Sequence, residues 1–280
     1  MESLGVLALA AGGVLIGARF SRLPKPWWML GYFIPLLAVV LYAVALHFPA
    51  LSFVPPVSWM MAGRNKFAVT GFMGAVLLTT PMLKMPRRRE RIVVSVLMVC
   101  LVLGTSVWPF LAPAFNQSYF ASLPTFVDED GVCRQSTTYT CGPASAVTAL
   151  RKLGFPAEEG QIAILAHTSS SIGTPPDILA QILNEKYGAA RLDCQYKLFK
   201  SADELKTNGL TLAVIKYNLI YDHYVTVLEV TDKFVTVGDP LEGMTRLVRV
   251  DFENKWRYAG VVLKRKPSAA LAATSDVTGR

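Results

Sequence analysis

Four apolar stretches, none interrupted by Asp, Glu, Lys or Arg, fill most of the first 113 residues: 3–18, 27–48, 67–83 and 92–111. A helix needs about 20 apolar residues to cross the hydrocarbon core of a bilayer, with a working range of roughly 17–25. The second and fourth stretches meet that requirement, the third is marginal and the first is short. Residues 1–113 therefore read as a transmembrane region of about four helices. The first stretch has Glu2 where a secretory signal would carry a basic segment, and Arg19 and Arg22 follow it, so it is read as a retained span. Trp27, Trp28, Tyr32, Trp59 and Trp108 stand near the proposed ends, where amphipathic rings favour the interface.

Charge divides the 280-residue chain in the same place. Residues 1–113 hold ten basic side chains (Arg19, Arg22, Lys25, Arg64, Lys66, Lys84, Arg87, Arg88, Arg89 and Arg91) against Glu2 and Glu90. The net charge of +8 arises there, and the remainder is balanced. That neutrality argues against nucleic acid as a partner, because no basic face is left for a phosphate backbone. The first and third inter-span loops carry eight of the ten cations and the second carries Arg64 and Lys66. Cations favour the cytoplasmic side, so an even number of spans puts the C-terminal part outside. The expected location is a bacterial inner membrane, multi-pass, with a periplasmic or extracellular domain. The spans hold no ionisable group except His47 near the end of the second, which reads as interfacial, so the bundle looks like an anchor rather than a transport pathway.

Beyond residue 113 the texture changes. Residues 114–132, with Pro124 and Asp128-Glu129-Asp130, read as a tether, 133–266 as a folded domain and 267–280 as a disordered tail. Within the domain, helices are expected over Cys141–Leu153, Glu158–His167 and Pro176–Tyr187. Strands are expected over Leu192–Leu198, Leu210–Tyr217, Tyr224–Val230, Phe234–Val237, Thr245–Val250 and Gly260–Lys264. Helices followed by an antiparallel sheet make an α+β domain.

Three places in the domain carry chemistry. Cys141 opens a helix, where unpaired N–H groups and the positive dipole end stabilise a thiolate. Gly142 allows a tight turn and close approach of a substrate, and Pro143 lacks an N–H only where none has a helical partner. Gln135, six residues upstream, can join the Cys141 N–H as an oxyanion donor. His223 opens a strand and can serve Cys141 as general base. Asp239, before Pro240 at the end of the next strand, can fix the imidazole tautomer, while Asp222 should point to the opposite face.

The segments Gln135–Ala144, His223–Val230 and Val237–Pro240 resemble the bacteriocin-processing cysteine peptidases, cysteine peptidase family thirty-nine, whose members cut double-glycine leader peptides. The shared features are a glutamine, five residues and Cys-Gly; a histidine opening a hydrophobic strand; and Asp-Pro after the next. Asp251–Trp256 is similar to the family's closing helical turn. The resemblance implies a papain-like fold on the four-helix anchor, with Cys141 as nucleophile, His223 as base, Asp239 as its orienter and Gln135 as oxyanion donor. Two features depart from transporter-fused members: no phosphate-binding Gly-x-x-x-x-Gly-Lys-Ser/Thr loop is present, and the charge count puts the domain outside rather than in the cytoplasm.

The reading is a membrane-anchored cysteine peptidase that forms a Cys141 thioester with a peptide or protein substrate. A tethered, non-hydrolytic peptide-binding module is the alternative. No cofactor is expected, and three histidines and four cysteines show no metal-ligand spacing. Besides substrate and bilayer, the helices offer a docking surface for a membrane-protein partner. Cys100 reads as a buried small hydrophobe, and Cys133 and Cys194 as structural residues able to pair outside the cytoplasm.

Overall fold

A computed structural model describes residues 2–170, 172–218 and 221–266; the expected tail, 267–280, lies outside the described residues. The chain divides between Phe115 and Asn116 into two compact units.

The first unit is helical: α1 (Glu2–Arg22), α2 (Leu30–His47), α3 (Val57–Met61), α4 (Asn65–Met82), α5 (Arg88–Leu101) and the start of α6 (Trp108–Ala121). A π-helical turn, Val102–Val107, joins α5 to α6. Three helical stretches are long and apolar enough to cross a membrane: Ser3–Arg22, Trp27–Ala45 and Arg88–Ala121. The first is longer than the apolar stretch alone indicated, because the helix continues through Arg19 to Arg22. The third expected span corresponds to α4, which forms a helix but is not among the three. Its start carries Asn65 and Lys66, and it buries Gly71, Ala75, Val76, Thr79 and Thr80 among its neighbours.

Close approaches give the direction of each helix. A Cβ on Gly13 would stand 2.6 Å from the Phe72 carbonyl, and one on Gly17 2.9 Å from the Val76 carbonyl, so glycines let α1 and α4 pack backbone to backbone and run parallel. Gly31, in the first turn of α2, lies against Thr80 and Phe20, so α2 runs the other way. Ser95 Oγ lies 3.0 Å from Met82 Sδ, Thr79 Oγ1 3.4 Å from Met98 Sδ, and Gly71 meets Ser106, which sets α5 antiparallel to α4. The alternation brings the end of α1 and the end of α4 together, with Arg19, Arg22 and Lys25 at the same pole as Lys84 and Arg87–Arg91. Lys84 Nζ sits 4.9 Å over the Trp28 ring at that pole, and Arg64 sits 4.7 Å over the Phe110 ring at the other. Cys100 is exposed on α5, not buried as the sequence suggested, because it falls on a face that no neighbouring helix covers.

In the second unit, β1 (Phe126–Val127) and β2 (Cys133–Arg134) form a small hairpin. Then follow α7 (Cys141–Lys152), α8 (Glu159–Leu165), α9 (Pro176–Tyr187), β3 (Leu192–Leu198), α10 (Asp203–Thr207), β4 (Leu210–Lys216), β5 (Asp222–Val230), β6 (Phe234–Asp239), β7 (Gly243–Val248), α11 (Arg249–Lys255) and β8 (Trp256–Arg265). Strands β3 to β8 make a six-stranded antiparallel sheet in the order β3-β8-β4-β5-β6-β7. This is an α+β domain with an antiparallel sheet.

The pleat explains why β4 is continuously apolar. Leu212 and Val214 face a core shared with α7 and α9, while Ala213 and Ile215 face a second core with Phe252 and Trp256. Helix α7 lies against the sheet with Ala144, Ser145 and Ala146, whose small side chains permit contact with β5. The Ser145 hydroxyl donates to the Tyr224 carbonyl at 3.1 Å, and the Thr226 hydroxyl to the Ser145 carbonyl at 2.9 Å.

Several boundaries differ from the sequence reading; β8, for one, starts at Trp256 rather than Gly260. Strand β5 starts two residues early, at Asp222, so His223 lies inside it. Arg249 and Val250 open α11, where Thr245–Val250 was expected to stay extended. Where a tether was expected from residue 114, α6 runs on to Ala121, since Pro113 lies within the helix without ending it.

Candidate active site

Cys141 is the first residue of α7 and is 8% exposed. Thr140 precedes the helix but does not cap it: its hydroxyl is turned to Thr137, whose N–H it accepts at 3.1 Å. The helix start is therefore left with uncapped N–H groups beside the thiol. Gly142 has ordinary helical geometry, and its lack of a side chain serves packing rather than a tight turn. A Cβ there would lie 2.9 Å from Thr174 Cβ, and Thr174 is held by its hydroxyl on Thr168 at 2.7 Å and its carbonyl on the Tyr224 hydroxyl at 2.9 Å.

His223 is 5% exposed, and its Nε2 is 2.8 Å from Asp239 Oδ1. Cys141 stands close enough to act on its ionisation. Nε2 belongs to Asp239, so Nδ1 is the nitrogen left for the thiol. Burial alone would lower the imidazole pKa, but Asp239 and Cys141 outweigh it and raise the value from 6.5 to about 9. Register accounts for the Asp239 contact. Thr226 pairs with Gly238, so Asp239 falls opposite Val225, on the face that His223 shares.

The Asp239 carboxylate is held from several sides. Oδ1 accepts the Leu241 N–H at 2.7 Å, an Asx turn that closes before β7. The Leu241 carbonyl accepts a hydrogen bond from Arg134, and the Pro240 carbonyl accepts the Gln135 N–H at 3.1 Å. Burial acts to raise the Asp239 pKa, but the His223 hydrogen bond and charge prevail and lower it. Asp222, next to His223 in sequence, is engaged by Arg257 at 2.9 Å.

The structure thus joins His223 and Asp239 by a hydrogen bond, with Cys141 near enough to the imidazole to act on its charge. Gln135 is tied to Pro240, next to Asp239, through its backbone, and its Nε2 donates to the Thr137 carbonyl at 2.6 Å. Its Oε1 is buried without a partner. Arg134, Thr174 and Glu159 were missed in the sequence. Each acts through contacts far along the chain, and none belongs to a residue pattern. Tyr217, whose ring is 5.8 Å from the His223 ring, was likewise read only as a strand end. Cys133 and Cys194 are buried free thiols, paired neither with each other nor with Cys141, and burial pushes both up to about 12. Among the described residues, no group of three His, Cys, Asp or Glu could hold a metal ion.

Residues 130–270 match the peptidase C39 family. An uncharacterized protein of Methanothermobacter marburgensis is 28% identical over 144 residues, covering 51% of this chain and 95% of that protein. A second, from Methanothermobacter thermautotrophicus, is 25% identical over 143 residues, covering 51% and 94%. Among solved structures, the peptidase domain of Streptococcus ComA, a bifunctional ABC transporter of a quorum-sensing pathway, is similar at 17% identity and a TM-score of 0.42, covering 48% of this chain and 96% of that one. A double-glycine-motif protease from an AMS/PCAT transporter, solved with its leader peptide, is similar at 17% identity and a TM-score of 0.41, covering 51% and 93%.

Proposed function

Since this chain belongs to the peptidase C39 family, we propose that it is a membrane-anchored cysteine peptidase whose active site is Cys141, His223, Asp239 and Gln135. One observation carries the proposal: the buried His223–Asp239 hydrogen bond of 2.8 Å beside Cys141 at the start of α7, with the imidazole raised to about 9. At neutral pH such an imidazole carries its proton and stands as acid–base partner to the nucleophilic sulfur.

The thiolate attacks the carbonyl carbon of a peptide bond. The oxyanion that forms accepts the Cys141 N–H at the uncapped end of α7 and the free N–H of Gln135 Nε2. The imidazolium at Nδ1 gives its proton to the departing amine, leaving a thioester on Cys141. Neutral His223 then removes a proton from water, which attacks the thioester and releases the acid. Asp239 holds Nε2–H throughout, so the ring keeps its tautomer and orientation.

p-Nitrophenyl acetate is an activated ester that needs no peptide specificity, and it tests the reaction type directly. The full chain should release p-nitrophenolate catalytically and carry a transient acetyl group on Cys141, seen by peptide mass spectrometry. A protein that binds peptides but is never acylated at Cys141 would be the non-hydrolytic module instead.

The same proposal has a direction across the membrane. The pole carrying Arg19, Arg22, Lys25, Lys84 and Arg87–Arg91 is cytoplasmic, and α6 leads outward to a periplasmic or extracellular peptidase domain. Alkaline phosphatase, which folds only outside the cytoplasm, should be active when fused after residue 265 and silent when fused after Arg89. The reverse pattern would put the peptidase in the cytoplasm.

A further inference from the structure

Glu159, the first residue of α8, is the one fully buried acid among the described residues, with 0% exposure. Both of its oxygens serve a single residue. Oε1 accepts the Ser136 N–H at 2.8 Å and Oε2 accepts the Ser136 hydroxyl at 2.7 Å, while the Glu159 N–H donates to Thr125 Oγ1 at 2.9 Å. A buried carboxyl group is unfavourable unless its oxygens are satisfied, and an apolar side chain of similar volume would fill the same space without that penalty. Packing alone therefore does not call for an acid here. What the acid achieves is the position of Ser136.

Ser136 directly follows Gln135. The Gln135 N–H is fixed on the Pro240 carbonyl, and the next N–H is fixed on Glu159. The Ser136 hydroxyl also lies 3.1 Å from the Pro124 carbonyl. Gln135 is thus anchored on both sides along the backbone, and its side chain is anchored by Thr137. A donor that must meet an oxyanion at hydrogen-bond distance gains from such restraint, since a misplacement of about 1 Å can lower a rate about 10²-fold.

We propose that Glu159 is a positioning residue that holds the Gln135–Thr137 segment so that the Gln135 amide meets the oxyanion. The proposal rests on the reading of Gln135 as oxyanion donor. Two reactions of the full-length, detergent-solubilised chain separate the roles. Turnover of p-nitrophenyl acetate passes through a tetrahedral oxyanion, whereas iodoacetamide alkylates Cys141 by direct displacement and needs no oxyanion donor. Glu159→Ala should lower ester turnover by about 10- to 100-fold and change the alkylation rate by less than about twofold. Glu159→Gln, which can still accept the Ser136 N–H and donate to its hydroxyl, should restore most of the loss. In a Gln135→Ala background the Glu159→Ala effect should shrink to less than about twofold, because the donor it positions is gone. Should Glu159→Ala fail to fold, Ser136→Ala, which removes only the hydroxyl, should lower ester turnover at least about threefold with the same dependence on Gln135. Equal losses with and without Gln135, parallel loss of alkylation, or wild-type turnover in Ser136→Ala would overturn the proposal. A wild-type chain that is never acetylated on Cys141 would instead overturn the peptidase reading itself.

Discussion

His223→Ala should lower ester and peptide turnover by about 10⁴- to 10⁶-fold, the scale seen when one member of a nucleophile–base pair is removed. The circular dichroism spectrum should be unchanged, because α7 remains stitched to β5 through Ser145 and Thr226. The loss has two parts: the thiol no longer meets a cation that favours its ionised form, and the leaving amine has no proton donor. Alkylation by iodoacetamide isolates the first part. In the wild type the imidazole already carries its proton at neutral pH, so the rate should change where the imidazolium titrates, at about 9. In His223→Ala the rate should be low at neutral pH and rise with the ionisation of an isolated thiol. Superimposable profiles for the two proteins would mean that His223 does not activate Cys141.

The same titration makes a statement about stability. The folded-state pKa of His223 is raised from 6.5 to about 9, so the folded state binds the proton more tightly than the unfolded chain does. Its contribution is fully present below about pH 6.5 and is lost as pH rises through about 9. The lowered Asp239 carboxyl acts in the opposite direction, its contribution being lost as pH falls.

What the sequence revealed follows the range of the interactions involved. Strand β3 and helix α9 were legible to the residue, because the pleat of one and the Pro-initiated, amphipathic pattern of the other are local signals. The spacing of Gln135, Cys141, His223 and Asp239 was legible as a pattern. Other features depend on contacts that no local pattern encodes. Gly142 looked like a turn residue, and only the position of Thr174, from a distant loop, shows it to be a packing residue. Glu159 looked like an ordinary acid in the first turn of a helix, where the dipole favours one. Only the fold turns it inward onto Ser136. In the first unit, 67–83 was read as a span of marginal length, and α4, which begins on Asn65 and Lys66, is not among the three helical stretches long and apolar enough to cross a membrane.

Asp239→Ala should lower turnover by about 10²- to 10⁴-fold and Asp222→Ala by less than about threefold, although Asp222 is the sequence neighbour of His223. Successive side chains on a strand point to opposite faces, so Asp222 meets Arg257 while His223 turns to Asp239 across the β5–β6 pair. The Asp222–Arg257 pair is partly exposed, and losing such a pair usually costs about 0–1 kcal/mol of stability, with no path to the reacting atoms. Removing the Asp239 carboxylate takes away a hydrogen bond and a charge that hold the imidazole near 9, so the imidazole pKa should fall towards or below 6.5, the direction in which burial pushes it. The upper limb of the alkylation profile should then move to lower pH in Asp239→Ala and stay in place in Asp222→Ala. Asp239→Asn, which keeps a neutral acceptor for Nε2–H but no charge, should fall between the wild type and the alanine variant in both turnover and pH limb. A ranking in which Asp222→Ala is the more damaging variant would mean that the β5–β6 register, and with it the direction of the His223 ring, is wrong.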